Sequence, residues 1–326
     1  MNLATAKRRI WGTKAIKAGL AGTVGAVALA ISLAVTTLPA SAAYSYPGEL
    51  GQMLSSTLAW NWYASPSGAN TGCTPSSDHP YPVILTEGTF GNMYNSFGAV
   101  APYLANAGYC VYTFNYGQTI WPSMFDAMGD IASSAQQLSD EVQSVLWQTG
   151  ASQVDIVGWS QGGMMPRYYI DELGGDQYVN TLVALAPSNF GTTLDGITNL
   201  IDDLSLAGVA VALLSPWCTA CYQQFQGSDF LNSLNNDWTG GVDPNVNYVN
   251  IESTVDGVIS PYTNAFLSGS NVQNITLQNQ CSQDDSSHLA LPYDSNALQD
   301  VVNALGADDP NFQPSCSSTG WLFGDL

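Results

Sequence analysis

Gly158-Trp159-Ser160-Gln161-Gly162, with Gly163 beyond it, places a serine midway between two glycines. This is the pattern G-x-S-x-G, in which the serine occupies a sharp strand-to-helix turn and its hydroxyl stands above a sheet. The glycines have a steric purpose, since a side chain two residues either way would meet neighbouring backbone. The flanks agree: Val154-Asp155-Ile156-Val157-Gly158 reads as a strand, and Gln161 to Leu173 as a helix. The amino end of that helix would favour negative charge developing beside the serine. The chemistry to expect is nucleophilic attack by Ser160, which needs a general base, and the base in turn needs an orienting carboxylate.

For an elbow of this kind the chain order is serine, then acid, then histidine. The sequence holds two histidines, and only His288 follows Ser160. His288 is therefore the expected base, and His79, followed by Pro80, reads as structural. The acid should follow a late strand. Asp256-Gly257 is turn-forming and comes just after Val246–Ile251, so Asp256 is the choice. Glu252 lies too early, at the end of that strand. Asp229, Asp237 and Asp243 read as solvated acids, while Asp284 and Asp285 compete from just before His288. A tetrahedral oxyanion would need the backbone N–H after the nucleophile, supplied by Gln161. A second donor should come from the loop after an early strand, where Glu87-Gly88-Thr89-Phe90-Gly91-Asn92 points to Thr89, whose hydroxyl could add another.

Elements must hold these residues together. Short continuous apolar runs at Pro82–Thr86, Cys110–Phe114, Val154–Gly158 and Leu182–Ala186 have the character of strands covered on both faces. Val246–Ile251 and Val272–Leu277 continue the series. Between residues 124 and 148 the period changes, with Leu138, Val142, Val145 and Leu146 on one helical face. Ala297 to Leu305 reads as a closing helix. Strands alternating with helices predict a single α/β domain built on a mostly parallel central sheet flanked by helices. Residues 190–240 interrupt the alternation, with a nearly uncharged apolar stretch from Leu204 to Trp217. They read equally as helices covering the sheet edge or as a small helical cap or lid.

Of 326 residues, six are Lys or Arg and 26 are Asp or Glu. Arg167 is the sole basic residue beyond Lys17, and no acid precedes Glu49, so residues 43–326 carry 1 − 26 = −25. That charge excludes nucleic acid as a partner and opposes docking on anionic lipid. Residues 1–42 read as a secretory signal peptide: a basic start from Lys7 to Lys17, an apolar run from Ala18 to Leu38, and the small-residue site Pro39-Ala40-Ser41-Ala42. An uncleaved anchor is the rival, because about 20 apolar residues span a bilayer. Residues 43–326 would then be the exported, extracellular catalytic domain. Export suits an even cysteine set, for which local pairing predicts Cys73–Cys110, Cys218–Cys221 and Cys281–Cys316. The Cys218-Thr219-Ala220-Cys221 spacing lacks the further Cys or His that zinc would want. No metal or other cofactor is implied.

Three segments carry a family resemblance: His79-Pro80 through Gly88-Thr89-Phe90-Gly91-Asn92, Gly158 through Met164-Met165-Pro166-Arg167, and His288-Leu289-Ala290-Leu291-Pro292-Tyr293-Asp294. From about Cys73 to Cys316 the chain resembles the secreted actinobacterial triacylglycerol lipases (lipase class 2, α/β-hydrolase fold). It is more distantly similar to the fungal lipase B type. The resemblance implies a catalytic serine at Ser160, an acid at Asp256, a histidine at His288, and oxyanion donors at Thr89 and Gln161. Glu87 stands where these bacterial lipases usually carry His, and an ionised carboxylate there would oppose a site for O⁻. The expectation is a monomeric serine hydrolase of carboxylic esters, a lipase acting on ester or lipid substrate at a lipid–water interface. The same residues would equally serve a short-chain esterase, a polyester hydrolase or an acyltransferase; a binding protein without turnover is the non-catalytic rival.

Overall fold

The computed structural model describes residues 43–45, 62–119, 125–206, 217–236, 241–306, 309–322 and 324–325. The expected signal peptide, the apolar stretch 207–216 and Asp237 lie outside them. Residues 43–326 form one compact unit.

Six strands make one sheet: β1 (Val83–Thr86), β2 (Val111–Thr113), β3 (Val154–Trp159), β4 (Val179–Leu185), β5 (Asn247–Glu252) and β6 (Val272–Thr276). Their order is β2-β1-β3-β4-β5-β6, and every neighbouring pair is parallel. β1 and β3 are buried along their whole length, as continuous apolar runs require when helices cover both faces. The register pairs Thr86 with Gly158, so the ends of β1 and β3 arrive side by side. The loops leaving those two ends hold Thr89 and Ser160.

The nine α-helices among the described residues are α1 (Met93–Ser96), α2 (Val100–Asn106), α3 (Ile131–Thr149), α4 (Gln161–Glu172), α5 (Leu194–Leu206), α6 (Thr219–Gln223), α7 (Asp229–Asn235), α8 (Leu277–Gln280) and α9 (Ser295–Leu305). α3 buries Ile131, Leu138, Val142 and Val145 on one stripe and turns Trp147 outward. It starts at Ile131 because Asp130 caps it, accepting from Ser133 N–H at 2.9 Å, and stops where Gly150 turns left-handed at φ 72°. The described residues within 190–240 form three helices, α5, α6 and α7, between β4 and β5. No helix among the described residues is long and apolar enough to cross a membrane.

α4 contains Pro166, which cannot donate to the carbonyl of Gly162 one turn earlier. Thr86 of β1 makes good the loss, its hydroxyl donating to that carbonyl at 2.8 Å. The helix defect thus becomes a tie between β1 and the turn after β3. α4 also buries Arg167 completely. Its guanidinium donates to the carbonyl of Gly241 at 2.9 Å, to Asn189 Oδ1 at 3.3 Å and to Asn235 Oδ1 at 2.7 Å. One cation therefore fastens α7 and the loop after β4 to the helix behind Ser160.

All three expected disulfides form: Cys73–Cys110, Cys218–Cys221 and Cys281–Cys316. The first ties the residue just before β2 to the segment leading into β1. The third ties the loop before His288 to the carboxyl-terminal segment.

Candidate active site

Ser160 joins β3 to α4 with φ 57° and ψ −122°, a conformation that L-residues rarely adopt. The glycines around it are sterically required. A Cβ on Gly158 would lie 1.9 Å from the carbonyl oxygen of Gly162, and one on Gly162 would lie 2.0 Å from that of Thr86. Gly88 is tight for the same reason, a Cβ there meeting the Ser160 Cβ at 2.9 Å. The elbow and the loop after β1 are packed backbone to backbone.

His288 follows α8 in a loop, with its ring fully buried. Its Nε2 lies 2.9 Å from Ser160 Oγ and its Nδ1 lies 2.7 Å from Asp256 Oδ2. Trp159 steadies the backbone of His288, donating its indole N–H to the His288 carbonyl at 3.0 Å. Asp256 sits beyond the end of β5. Its Oδ1 accepts the backbone N–H groups of Val258 at 2.7 Å and Ile259 at 2.9 Å, leaving Oδ2 for the imidazole. A carboxylate so bonded holds the Nδ1 hydrogen and directs the other ring nitrogen to accept from the serine.

The competing acids serve other ends. Asp284 is buried, with Oδ1 accepting from Ser286 N–H and Thr319 Oγ1, each at 3.0 Å, and Oδ2 accepting from Asn296 Nδ2 at 2.9 Å. It shapes the histidine loop and does not bond the ring. Asp285 and Asp229 are exposed. Asp243, expected to be solvated, is instead buried, its Oδ1 holding the turn at Asn245 N–H. Glu252 ends β5 as expected, but its fully buried side chain reaches Asp256. Burial first, and then the charge of Asp256, push its carboxyl well above the usual carboxylate range, which favours the protonated form of Glu252.

Thr89 lies in the loop after β1, and Gln161 is the first residue of α4. Thr89 is buried, its Oγ1 accepting from Gln161 Nε2 at 2.8 Å and from Gln224 Nε2 at 2.8 Å. Glu87 is also completely buried. Its Oε1 accepts from Tyr116 N–H at 3.2 Å, and the Tyr116 hydroxyl donates to the Glu87 carbonyl. Burial, and then the nearby Asp126, raise the Glu87 carboxyl well above its ordinary value. Both effects favour the protonated form of Glu87, which would not oppose a developing oxyanion. His79 packs against Tyr109 with ring centroids 3.9 Å apart, away from these groups in the fold. Two neighbours escaped the sequence reading: Gln224 at the end of α6, and Asp203 on α5, whose carboxyl feels the charges of both His288 and Asp256. Neither belongs to a motif that would have marked it. Among the described residues no group of three or more His, Cys, Asp or Glu is arranged to hold a metal ion.

The family model described as Lipase (class 2) matches residues 80–300, a span that includes every residue of this arrangement. Among solved structures, Aspergillus fumigatus lipase B superimposes with a TM-score of 0.58 at 21% identity, covering 75% of this chain and 56% of that one. The chain thus spans little more than half the length of that fungal protein. The mature form of Bacillus licheniformis lipase BlEst2 gives 0.47 at 16% identity over 62% of this chain and 85% of its own. An esterase of Pyrobaculum calidifontis gives 0.48 at 14% over 72% and 78%. The six-stranded parallel sheet with its flanking helices is the α/β-hydrolase fold.

Proposed function

The chain belongs to the class 2 lipase family and is a carboxylic-ester hydrolase, and on that premise we propose that it cleaves triacylglycerols through Ser160, His288 and Asp256. The observation that carries the proposal is the unbroken hydrogen-bonded line from Ser160 Oγ through the His288 ring to Asp256. In this mechanism His288 Nε2 takes the Ser160 proton as the serine oxygen attacks the ester carbonyl. The oxyanion that results is held by the backbone N–H of Gln161 and by Thr89. His288 then gives its proton to the leaving alcohol, and the acyl group stays on Ser160 until water, activated by the same imidazole, releases the acid. Asp256 stabilises the imidazolium between the two transfers.

Export is part of the same proposal. It is supported by the three closed disulfides, which persist in oxidising compartments. Mature protein from culture medium should begin at Ala43.

Two measurements test the reading. A fluorophosphonate probe should label the wild-type enzyme at Ser160 and leave Ser160→Ala unlabelled; equal labelling of both would refute it. Rates over p-nitrophenyl esters of increasing chain length, with an emulsified triglyceride as the last substrate, then test the substrate class. A rate confined to the shortest acyl chains would make the enzyme an esterase instead.

A further inference from the structure

We propose that Gln224 is a positioning residue that holds the Thr89 hydroxyl as a hydrogen-bond donor to the oxyanion. The inference rests on the hydrolytic mechanism proposed above and adds to it a side chain from a separate element.

Thr89 Oγ1 accepts two N–H bonds at 2.8 Å, one from Gln161 and one from Gln224. The chemistry of the neighbours dictates which end of each amide faces Thr89. Gln161 Nε2 also donates to the carbonyl of Ala127 at 2.7 Å, and Gln224 Nε2 to that of Ala220 at 3.2 Å. A carbonyl can only accept, so both nitrogens must be where they are. Gln224 Oε1 in turn accepts the Ser188 hydroxyl at 2.8 Å. A hydroxyl oxygen has two lone pairs and one hydrogen. With both lone pairs engaged, Thr89 is left to donate in the remaining direction, and among the described residues no protein group accepts that hydrogen. Thr89, Gln161 and Gln224 are all buried, which limits competition from water.

The arrangement has a catalytic consequence. A freely rotating threonine hydroxyl would present a lone pair to the reacting oxygen part of the time and would have to reorient as charge develops. Two fixed amides remove that choice before the reaction starts, the preorganisation on which oxyanion stabilisation depends. Gln161 belongs to the elbow itself. Gln224 comes from elsewhere: it ends α6, a single turn capped by Cys218 and closed by the Cys218–Cys221 disulfide. That turn is pinned to the start of α3, Ala220 N–H donating to the Met128 carbonyl at 3.0 Å and Gln223 Nε2 to Asp130 Oδ1 at 2.8 Å. The segment between β4 and β5 thus does more than cover the sheet, because one of its side chains orients an oxyanion donor.

The test is a double-mutant cycle on the full enzyme with a p-nitrophenyl ester, with thermal unfolding to establish that each variant is folded. Gln224→Ala should lower kcat about tenfold, a fraction of the loss from deleting an oxyanion donor outright. KM should change less than about twofold, since the interaction is made in the transition state. In a Thr89→Val background the same substitution should cost nothing more. Gln224→Glu, of equal size, adds a pH signature. Protonated, its carboxyl can donate to Thr89; ionised, it can only accept and turns the hydroxyl away. The kcat of Gln224→Glu relative to wild type should therefore fall as pH rises, and the fall should vanish with Thr89→Val. An equal loss from Gln224→Ala in both backgrounds, or a pH-independent ratio for Gln224→Glu, would overturn the inference alone. Wild-type kcat in Thr89→Val would overturn both the inference and the oxyanion role of Thr89.

Discussion

Single side chains set the electrical state of the Ser160–His288–Asp256 line, and the least conspicuous of them is Asp203. It lies on α5 with 7% of its surface exposed. Burial pushes its carboxyl up to about 6, with His288 pulling the other way and Asp256 and Asp202 adding to the rise. Above that pH a second carboxylate stands near the imidazole. The imidazole must be neutral to accept the Ser160 proton, and a nearby anion favours its charged form. Asp203→Asn should therefore move the acid limb of kcat/KM to lower pH, by a few tenths of a unit on the order of a partly screened charge interaction. A pH–rate profile measures this directly, and coincident acid limbs would show that the Asp203 charge is not felt. Ser160, His288 and Asp256 were legible before any coordinates because a motif, a chain order and a count of two histidines constrain them. Asp203 and Gln224 were not. One is an acid among 26, the other an amide with no titration to mark it, and each reaches the site only through the packing of helices whose placement no local pattern encodes.

Elements position the site through close backbone contact, and glycine is what permits it. Gly162→Ala would drive a Cβ to 2.0 Å from the Thr86 carbonyl oxygen and 2.5 Å from that of Glu87, atoms at the end of β1 that cannot simply rotate aside. The cost should be about 3 kcal/mol or more, with activity lost as the loop bearing Thr89 is displaced. Gly150→Ala provides the contrast. Nothing lies within 4 Å of its Cβ, so only the left-handed backbone at φ 72° is penalised, by about 1 kcal/mol. Urea titration should show a large shift in midpoint for the first and a small one for the second, with the slope unchanged in Gly150→Ala. The same elements divide into legible and illegible ones. β1 and β3 were readable as apolar runs flanked by glycine, because burial on both faces leaves that trace. β4 was read from Leu182, yet it begins at Val179, since Asn180 and Thr181 are polar and Asn180 instead bonds Asp155 on β3 at 2.8 Å. α1 and α2 were not foreseen, being short, with Pro102 in the first turn of α2.

At the scale of the molecule, buried acids dominate the dependence of stability on pH. Asp155 and Asp300 are each pushed to about 7 by burial, against opposing hydrogen bonds from Asn180 and Thr181 in one case and Gln280 in the other. Glu87, Glu252 and Asp294 are also raised well above the usual carboxylate range, burial again leading. Each group holds a proton in the folded chain at pH values where the unfolded chain has released it, so the folded state binds more protons and stability falls as pH rises. The window opens near pH 4, where unfolded carboxyls ionise. It extends to about 7 for Asp155 and Asp300. Each such group can contribute up to about 1.4 kcal/mol per pH unit within its window. Mutual repulsion within a domain of net charge −25 acts in the same direction. Calorimetry should find a higher Tm at pH 5 than at pH 8; a Tm that rises over that interval would contradict the account.

The burial of Arg167 has a consequence for proteolysis. Beyond Lys17 it is the sole residue after which a trypsin-like protease can cut, and it lies inside α4 with no exposed surface. The folded domain therefore offers such a protease nothing to cleave. Cleavage requires α4 to unravel, which breaks the ties from Arg167 to α7 and to the loop after β4 and disrupts the turn carrying Ser160. Where opening is fast compared with cutting, the digestion rate reports the equilibrium population of that opened state. Trypsin should split residues 43–326 into two fragments, joining Ala43–Arg167 and Tyr168–Leu326 to separate pieces, at a rate that rises in parallel with loss of esterase activity under urea.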